Sequence, residues 1–167
     1  RESVANKISP KAYTTYGMLS KYPDWGKDFK KGILGSIDVE TGGTFDFQTK
    51  QKGGTGYGLY QFDRGYTDTK TGIYHNGQLD DYEIFLKDNN LKDSGEAQTE
   101  FVHKTMTMKS SKAPHDLGWE KRGNLQGMFN SKDTDAISVS LMDNYFMSGT
   151  PHLNKRKKSS KGFPLIP

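Results

Sequence analysis

Trp25, Phe29, Ile33 and Ile37 recur at four-residue intervals, and the run closes on Gly42-Gly43. Apolar residues at that spacing lie along one stripe of an α-helix, because 3.6 residues complete a turn. Lys27, Lys30 and Lys31 fall off the stripe and can face water. Asp24 reads as the N-cap, and the glycine pair reads as the C-terminal stop. A helix with so heavy an apolar face must be covered by other elements, so this segment predicts a packed core built around it.

The flanking sequence supplies those partners. Ser9-Pro10, with Ile8 before it, predicts an N-cap followed by proline at the first helical position. The helix it opens carries Tyr13, Tyr16 and Leu19 and stops before Pro23. Leu79, Tyr82, Phe85 and Leu86 predict another helix ending near Asn89-Asn90, and Asp93 with Glu96 a start for one carrying Ala97, Phe101 and Met108. Lys109 to Gly118 reads as a loop around Pro114. A short helix from about Glu120 to Phe129 and a longer one from about Thr134 to Phe146 follow. Residues 44–62 differ: Thr44 to Gln48 alternates, Gly53-Gly54-Thr55-Gly56 breaks the chain, and Tyr57 to Phe62 is aromatic and β-prone, which predicts a small hairpin. Residues 63–77 read as loop. The expected fold class is α+β, mostly α: a helical domain with a small β-hairpin lining a cleft. Its 167 residues suit one such domain, with residues 1–154 as its body and 155–167 as a basic C-terminal tail.

That division rests on charge. The chain carries a net +4, yet Lys155, Arg156, Lys157, Lys158 and Lys161 fall in a stretch with no acid. The first 154 residues then hold 19 basic against 20 acidic residues, a net of about −1, so no basic face can be inferred for the body and nucleic acid is not an expected partner. With no cysteine, disulfides and thiolate metal sites are excluded. His75, His103, His115 and His152 are scattered without a His-Glu-x-x-His or i, i+4 pair, so neither a metal nor another cofactor is expected. The glycine run at 53–58 lacks the Lys-Ser/Thr of a phosphate loop, and no serine occupies a Gly-x-Ser-x-Gly turn. No apolar run reaches the ~18 residues of a membrane span. A chain that opens on Arg1 rather than Met is expected to be a processed product or a piece of a longer polypeptide.

Glu40 stands out. It lies three positions after Ile37, about 60° round the helix from the buried stripe. Its carboxyl therefore sits beside the core, in the last turn, where unpaired carbonyls carry partial negative charge. Both features disfavour ionisation, and a general acid requires such a setting. An acid that works with a second carboxylate needs that partner about 5–9.5 Å away. Asp46 and Asp63, which flank the predicted hairpin, are the candidates, Asp46 being nearer in sequence.

The stretch Gly32-Ile33-Leu34-Gly35-Ser36-Ile37-Asp38-Val39-Glu40-Thr41-Gly42, followed by Gly56-Tyr57-Gly58-Leu59-Tyr60-Gln61-Phe62, resembles the lysozyme-like superfamily, and within it the phage tail lysozyme family. Asp93-Ser94-x-x-x-Gln98-x-x-Phe101, the Ala136–Phe146 segment and Gly149-x-Pro151 extend the resemblance over about residues 30–156. The resemblance implies a lysozyme-like fold in which Glu40 is the catalytic acid of a peptidoglycan-cutting muramidase acting between N-acetylmuramic acid and N-acetylglucosamine. It implies substrate contacts from Thr41, Tyr57, Gly58, Tyr60, Gln61 and Phe62, with sugars stacking on the aromatic rings and Gln61 meeting an N-acetyl group or the Glu40 carboxyl. It further implies a place on a phage virion, as a tail or ejected protein beside other virion proteins, acting at the bacterial wall or periplasm during DNA entry. A lytic transglycosylase using the same glutamate is the alternative reading, as is a catalytically silent wall-binding or structural module of the virion.

Overall fold

A computed structural model describes residues 9–107, 124–146 and 152–163. The expectations placed on Ile8, Met108, the Lys109–Gly118 loop, His115, the start of the helix near Glu120, and Gly149-x-Pro151 lie outside these residues. Among the described residues the chain forms six α-helices and one two-stranded sheet: α1 (Pro10–Leu19), α2 (Lys27–Glu40), β1 (Tyr66–Thr67), β2 (Tyr74–His75), α3 (Gln78–Asp88), α4 (Gly95–Thr107), α5 (Thr134–Leu141) and α6 (Leu153–Gly162). The mostly helical α+β class expected from the sequence is the class observed. None of these helices is long and apolar enough to cross a membrane.

The local signals explain the helices. Ser9 accepts a hydrogen bond from the Ala12 amide at 3.1 Å and Pro10 opens α1. Tyr16 and Leu19 of α1 are buried, but Tyr13 is exposed. Helix α2 starts later than expected, after Gly26, because Asp24 is engaged by His103 instead of capping. Trp25 is buried just before the helix, and Phe29, Ile33 and Ile37 are fully buried along it. Each such side chain contributes roughly 1.5–3 kcal/mol by leaving water. Ser94, not Asp93, caps α4 by accepting from the Ala97 amide.

Helix α2 is the centre of the fold, and α1, α5 and α6 pack on it. Two of its glycines set how closely. A Cβ at Gly32 would lie 2.5 Å from Ile137 Cγ2 of α5. One at Gly35 would lie 2.2 Å from Ser160 Oγ and 2.8 Å from the Arg156 carbonyl of α6. The two backbones can approach this closely only because position 35 has no side chain.

Residues 155–162 of the segment read as a charged tail belong to helix α6, seated on α2 with Arg156 and Ser160 buried. The β-structure is also displaced from its expected position. The regular ladder pairs Tyr66 with His75 and Thr67 with Tyr74, inside the segment read as loop. Residues 50–62 form two tight reversals, with single bridges from Tyr57 to Lys50 and to Phe62. Left-handed backbone at Gly58 (φ 86°) and Gln61 (φ 48°) folds the second reversal too sharply for a longer ladder. A second aromatic cluster of Phe62, Tyr82, Phe85 and Phe101 ties this region to α3 and α4.

Candidate active site

The end of α2 is built to stop at Glu40. Gly42 (φ 61°) and Gly43 (φ 83°) take left-handed backbone, and the Gly43 amide donates to the Asp38 carbonyl at 2.8 Å. Thr41 Oγ1 donates to the Ile37 carbonyl at 2.8 Å and accepts from the Phe45 amide at 3.0 Å. It therefore closes the helix and pins the next loop to it. Thr41 is buried, and its role here is this cap.

Glu40 emerges from that turn with its side chain 14% exposed, against Arg156, whose side chain is 1% exposed. Arg156 Nη2 donates to Glu40 Oε1 at 2.5 Å. The pairing follows from the Gly35–Ser160 contact. Helices α2 and α6 run antiparallel, so one turn back from Ser160 along α6 is Arg156, and five residues on from Gly35 along α2 is Glu40. One residue pair round, Ser159 Oγ donates to Asp38 Oδ2 at 2.5 Å and locks the same register. The Arg156 guanidinium also lies 5.2 Å from the ring centre of Phe146, which in turn stacks on Tyr60. Phe146 belongs to a π-helical turn, Met142–Phe146, that continues α5; such wider turns re-aim side chains, often at functional sites. Among the described residues, Glu40 Oε2 has no hydrogen-bond partner.

The other residues expected at the site are distributed unevenly. Asp46 lies next to Phe45 and so at the same corner as Glu40. It is partly exposed, 3.7 Å from Lys11 Nζ, and its Oδ1 accepts from the Gln48 amide. Asp63 sits on the far side of the reversals, where its carbonyl accepts from the Leu79 amide and its carboxyl from Thr55 Oγ1. Burial holds the Asp63 carboxyl above the usual carboxylate range, against the opposing pull of Thr55. Neither aspartate touches Glu40.

Of the residues expected to meet sugars, Tyr60 and Phe62 correct the sequence reading. They are core residues, 2% and 0% exposed, and Tyr60 shares a hydrogen bond with Thr99 at 2.9 Å. Their faces are covered by protein because the sharp turn at 58–61 rolls this segment inward. Glycine at position 58 is required by packing: a Cβ there would lie 2.5 Å from Gln98 Oε1. Gln61 turns its amide onto its own loop, donating to the Thr49 carbonyl at 3.1 Å and the Gly58 carbonyl at 2.8 Å. Tyr57 is half-buried and lines a cavity of about 490 Å³ with Lys50, Gln51, Arg64, Tyr82 and Asp93. Its hydroxyl, like that of Tyr82, donates to Asp93, and burial followed by that carboxylate pushes both phenols well above their ordinary range.

Arg156 and Phe146 are the site residues that sequence reasoning missed. One signal for Arg156 is present: it is the single arginine in a run of lysines, and a guanidinium is the cation suited to a buried pair with a carboxylate. Gln98, noted only as part of a motif, holds the wall of the site in place. It accepts from the Leu59 amide at 2.9 Å and donates to the Phe47 carbonyl at 2.9 Å and to Asp93 at 3.0 Å. No group of three or more metal-ligating side chains occurs among the described residues.

A carboxyl at a glycine-stopped helix end, one oxygen anchored and the other free, can deliver and recover a proton. Comparison with known proteins agrees with that chemistry. A search of curated proteins and a search of solved structures each gave no match. The family model for phage tail lysozymes matches residues 11–163, which span α1 to the end of α6. The family's function is lysozyme-like degradation of peptidoglycan, a glycosidase activity, and by this match the chain belongs to the phage tail lysozyme family.

Proposed function

We propose that the protein is a muramidase that cleaves the β-1,4 bond between N-acetylmuramic acid and N-acetylglucosamine, with Glu40 as its acid. The observation that carries this reading is the Glu40–Arg156 pair, which anchors Oε1 and leaves Oε2 free to face a leaving group. Glu40 gives its proton to the glycosidic oxygen as the C1–O bond breaks. Arg156 stabilises the carboxylate left behind. Water then adds at C1 and its proton returns to Glu40. Asp46, held at the same corner through Phe45 and Thr41, is the better placed of the two aspartates to steady the developing positive charge. In a single-carboxylate enzyme the same Glu40 serves while the substrate's own 6-hydroxyl replaces water.

The protein is proposed to travel on the virion and open the wall locally for DNA entry. Digestion of purified peptidoglycan by wild-type protein and by Glu40→Gln, with products read by mass spectrometry, tests the chemistry. Wild type is expected to release muropeptides, and Glu40→Gln to do so about 10³-fold more slowly, the range of a lost general acid. New reducing ends mean hydrolysis and 1,6-anhydro ends mean transglycosylation. Equal cutting by both proteins removes Glu40 from the mechanism, and a folded wild type that releases nothing favours a silent wall-binding module.

A further inference from the structure

Beside the Glu40 corner lies a cavity of about 720 Å³ that the proposed chemistry does not use. Its lining includes Asp38 and Val39, the two residues before Glu40, Gly42 and Gly43 shortly after it, Lys155 and Lys158 of α6 with His152 just before that helix, and Ser9 and Ala12 at the N-terminal turn of α1. Lys155 and Lys158 are exposed and, among the described residues, form no ion pair. The one carboxylate in the lining, Asp38, is engaged by Ser159. A hydrogen bond leaves that carboxylate its charge, but two lysines against one carboxylate still make the lining net positive, and the N-terminus of α1 adds to that field.

We infer that this cavity is a subsite for the acidic stem peptide of peptidoglycan, an inference that rests on the glycosidase reading above. Charge selects a ligand rich in carboxylates. The volume falls in the range of small-ligand pockets and admits a few residues, not a long track of polymer. Position then selects the stem. It branches from the muramic acid ring beside the scissile bond, so it must lie within a few residues of whatever group protonates that bond. Lys155 adjoins Arg156, which touches Glu40, so one helix both anchors the acid and faces the cavity. Recognition of the stem orients the glycan across Glu40, so binding energy gained away from the bond serves the reaction.

Two measurements on the full chain test this. In an NMR titration, a synthetic acidic stem tetrapeptide is compared with the same peptide bearing amidated carboxyls. Wild type is expected to bind the acidic form about tenfold more tightly, shifting signals of Gly42, Gly43 and the start of α1, and Lys155→Ala/Lys158→Ala to lose that preference. Equal binding of the two peptides by wild type, or an unchanged preference in the variant, overturns the subsite. In the second measurement kcat/KM is read on intact peptidoglycan and on strands stripped of stems by an amidase. The double variant is expected to fall about tenfold on intact strands, chiefly through KM, and stripping is expected to cost wild type a similar factor. A variant that loses equally on stripped strands shows that the lysines serve the glycan or the fold, and overturns the proposal. So does loss of the wild-type advantage when phosphate-bearing wall polymers, not stems, are removed. If wild type cuts neither substrate the glycosidase reading fails, and the titration still decides what the cavity binds.

Discussion

Two regions meet at the candidate site and are held by different means. The Glu40 corner is two helices pressed together at a glycine, joined by a buried guanidinium on Glu40 and by Ser159 on Asp38. The facing region, residues 44–77, has almost no regular structure and is held by side chains bonded to backbone: Thr41 to Phe45, Asp46 to Gln48, Gln61 to Thr49 and Gly58, Gln98 to Leu59 and Phe47, Asp80 to Gly65 and Gly77. In the corner, position is set by packing over whole helices, so a change at one residue is felt along both. In the wall, each staple fixes a few residues, so damage should stay local. A rigid acid facing an adjustable wall fits an enzyme that must hold one carboxyl firmly while admitting a bulky polymer.

The corner is most vulnerable at Arg156. Arg156→Met leaves Glu40 with a charge that is mostly shielded from water and no partner, and is expected to lower stability by about 3 kcal/mol, the lower end for breaking a buried pair. Adding Glu40→Gln removes the stranded charge, so the double variant is expected to recover part of that loss in urea unfolding. A double variant no more stable than Arg156→Met would mean that Arg156 matters by its packing against Phe146 and not by its charge.

The wall is tested at Gln98, a fully buried residue that bridges it to α4. Gln98→Leu keeps the volume but leaves the Leu59 amide and the Phe47 carbonyl unsatisfied, at an expected cost of about 2 kcal/mol. Amide hydrogen exchange is expected to rise in residues 47–62 while α2 and α6 stay protected. If exchange rises equally in both regions, the wall and the corner are one cooperative unit and the contrast fails.

How much of this was legible in the sequence follows the same division. Helix α2 declares itself because its buried residues are large, apolar and regularly spaced. Helix α6 does not, because the residues it buries deepest are Arg156 and Ser160, and no apolar periodicity marks it. Glu40 could be found from its place on α2 and from the motif around it, but its partner lies 116 residues away and is brought there by Gly35, whose meaning depends on what packs against it. The wall misleads for a further reason. Aromatic, β-prone residues suggested a hairpin at 57–62, yet tertiary packing draws Tyr60 and Phe62 into the core, while the actual ladder uses the exposed Tyr66 and Tyr74. Local patterns fix periodic elements; side-chain staples between distant segments carry no local pattern.

The smallest expected effect lies at Asp80. Its carboxyl accepts from the Gly65 and Gly77 amides and the Tyr74 hydroxyl, each at 2.8 Å, and from Arg64 at 2.9 Å, tying the β1–β2 hairpin to the start of α3. Burial alone would raise this carboxyl, but the hydrogen bonds outweigh it and hold the group below the usual carboxylate range. A carboxyl depressed in the folded state stabilises it above the unfolded value near pH 4, and that contribution disappears as pH falls through the folded value. Asp80→Asn is therefore expected to cost about 1 kcal/mol at pH 6, and the gap from wild type to narrow as pH falls below the usual carboxylate range. The hairpin should loosen first, read as faster exchange at Gly65 and Gly77. A gap that stays constant from pH 6 to pH 3 would show that Asp80 acts through shape, and that the wall is held by packing.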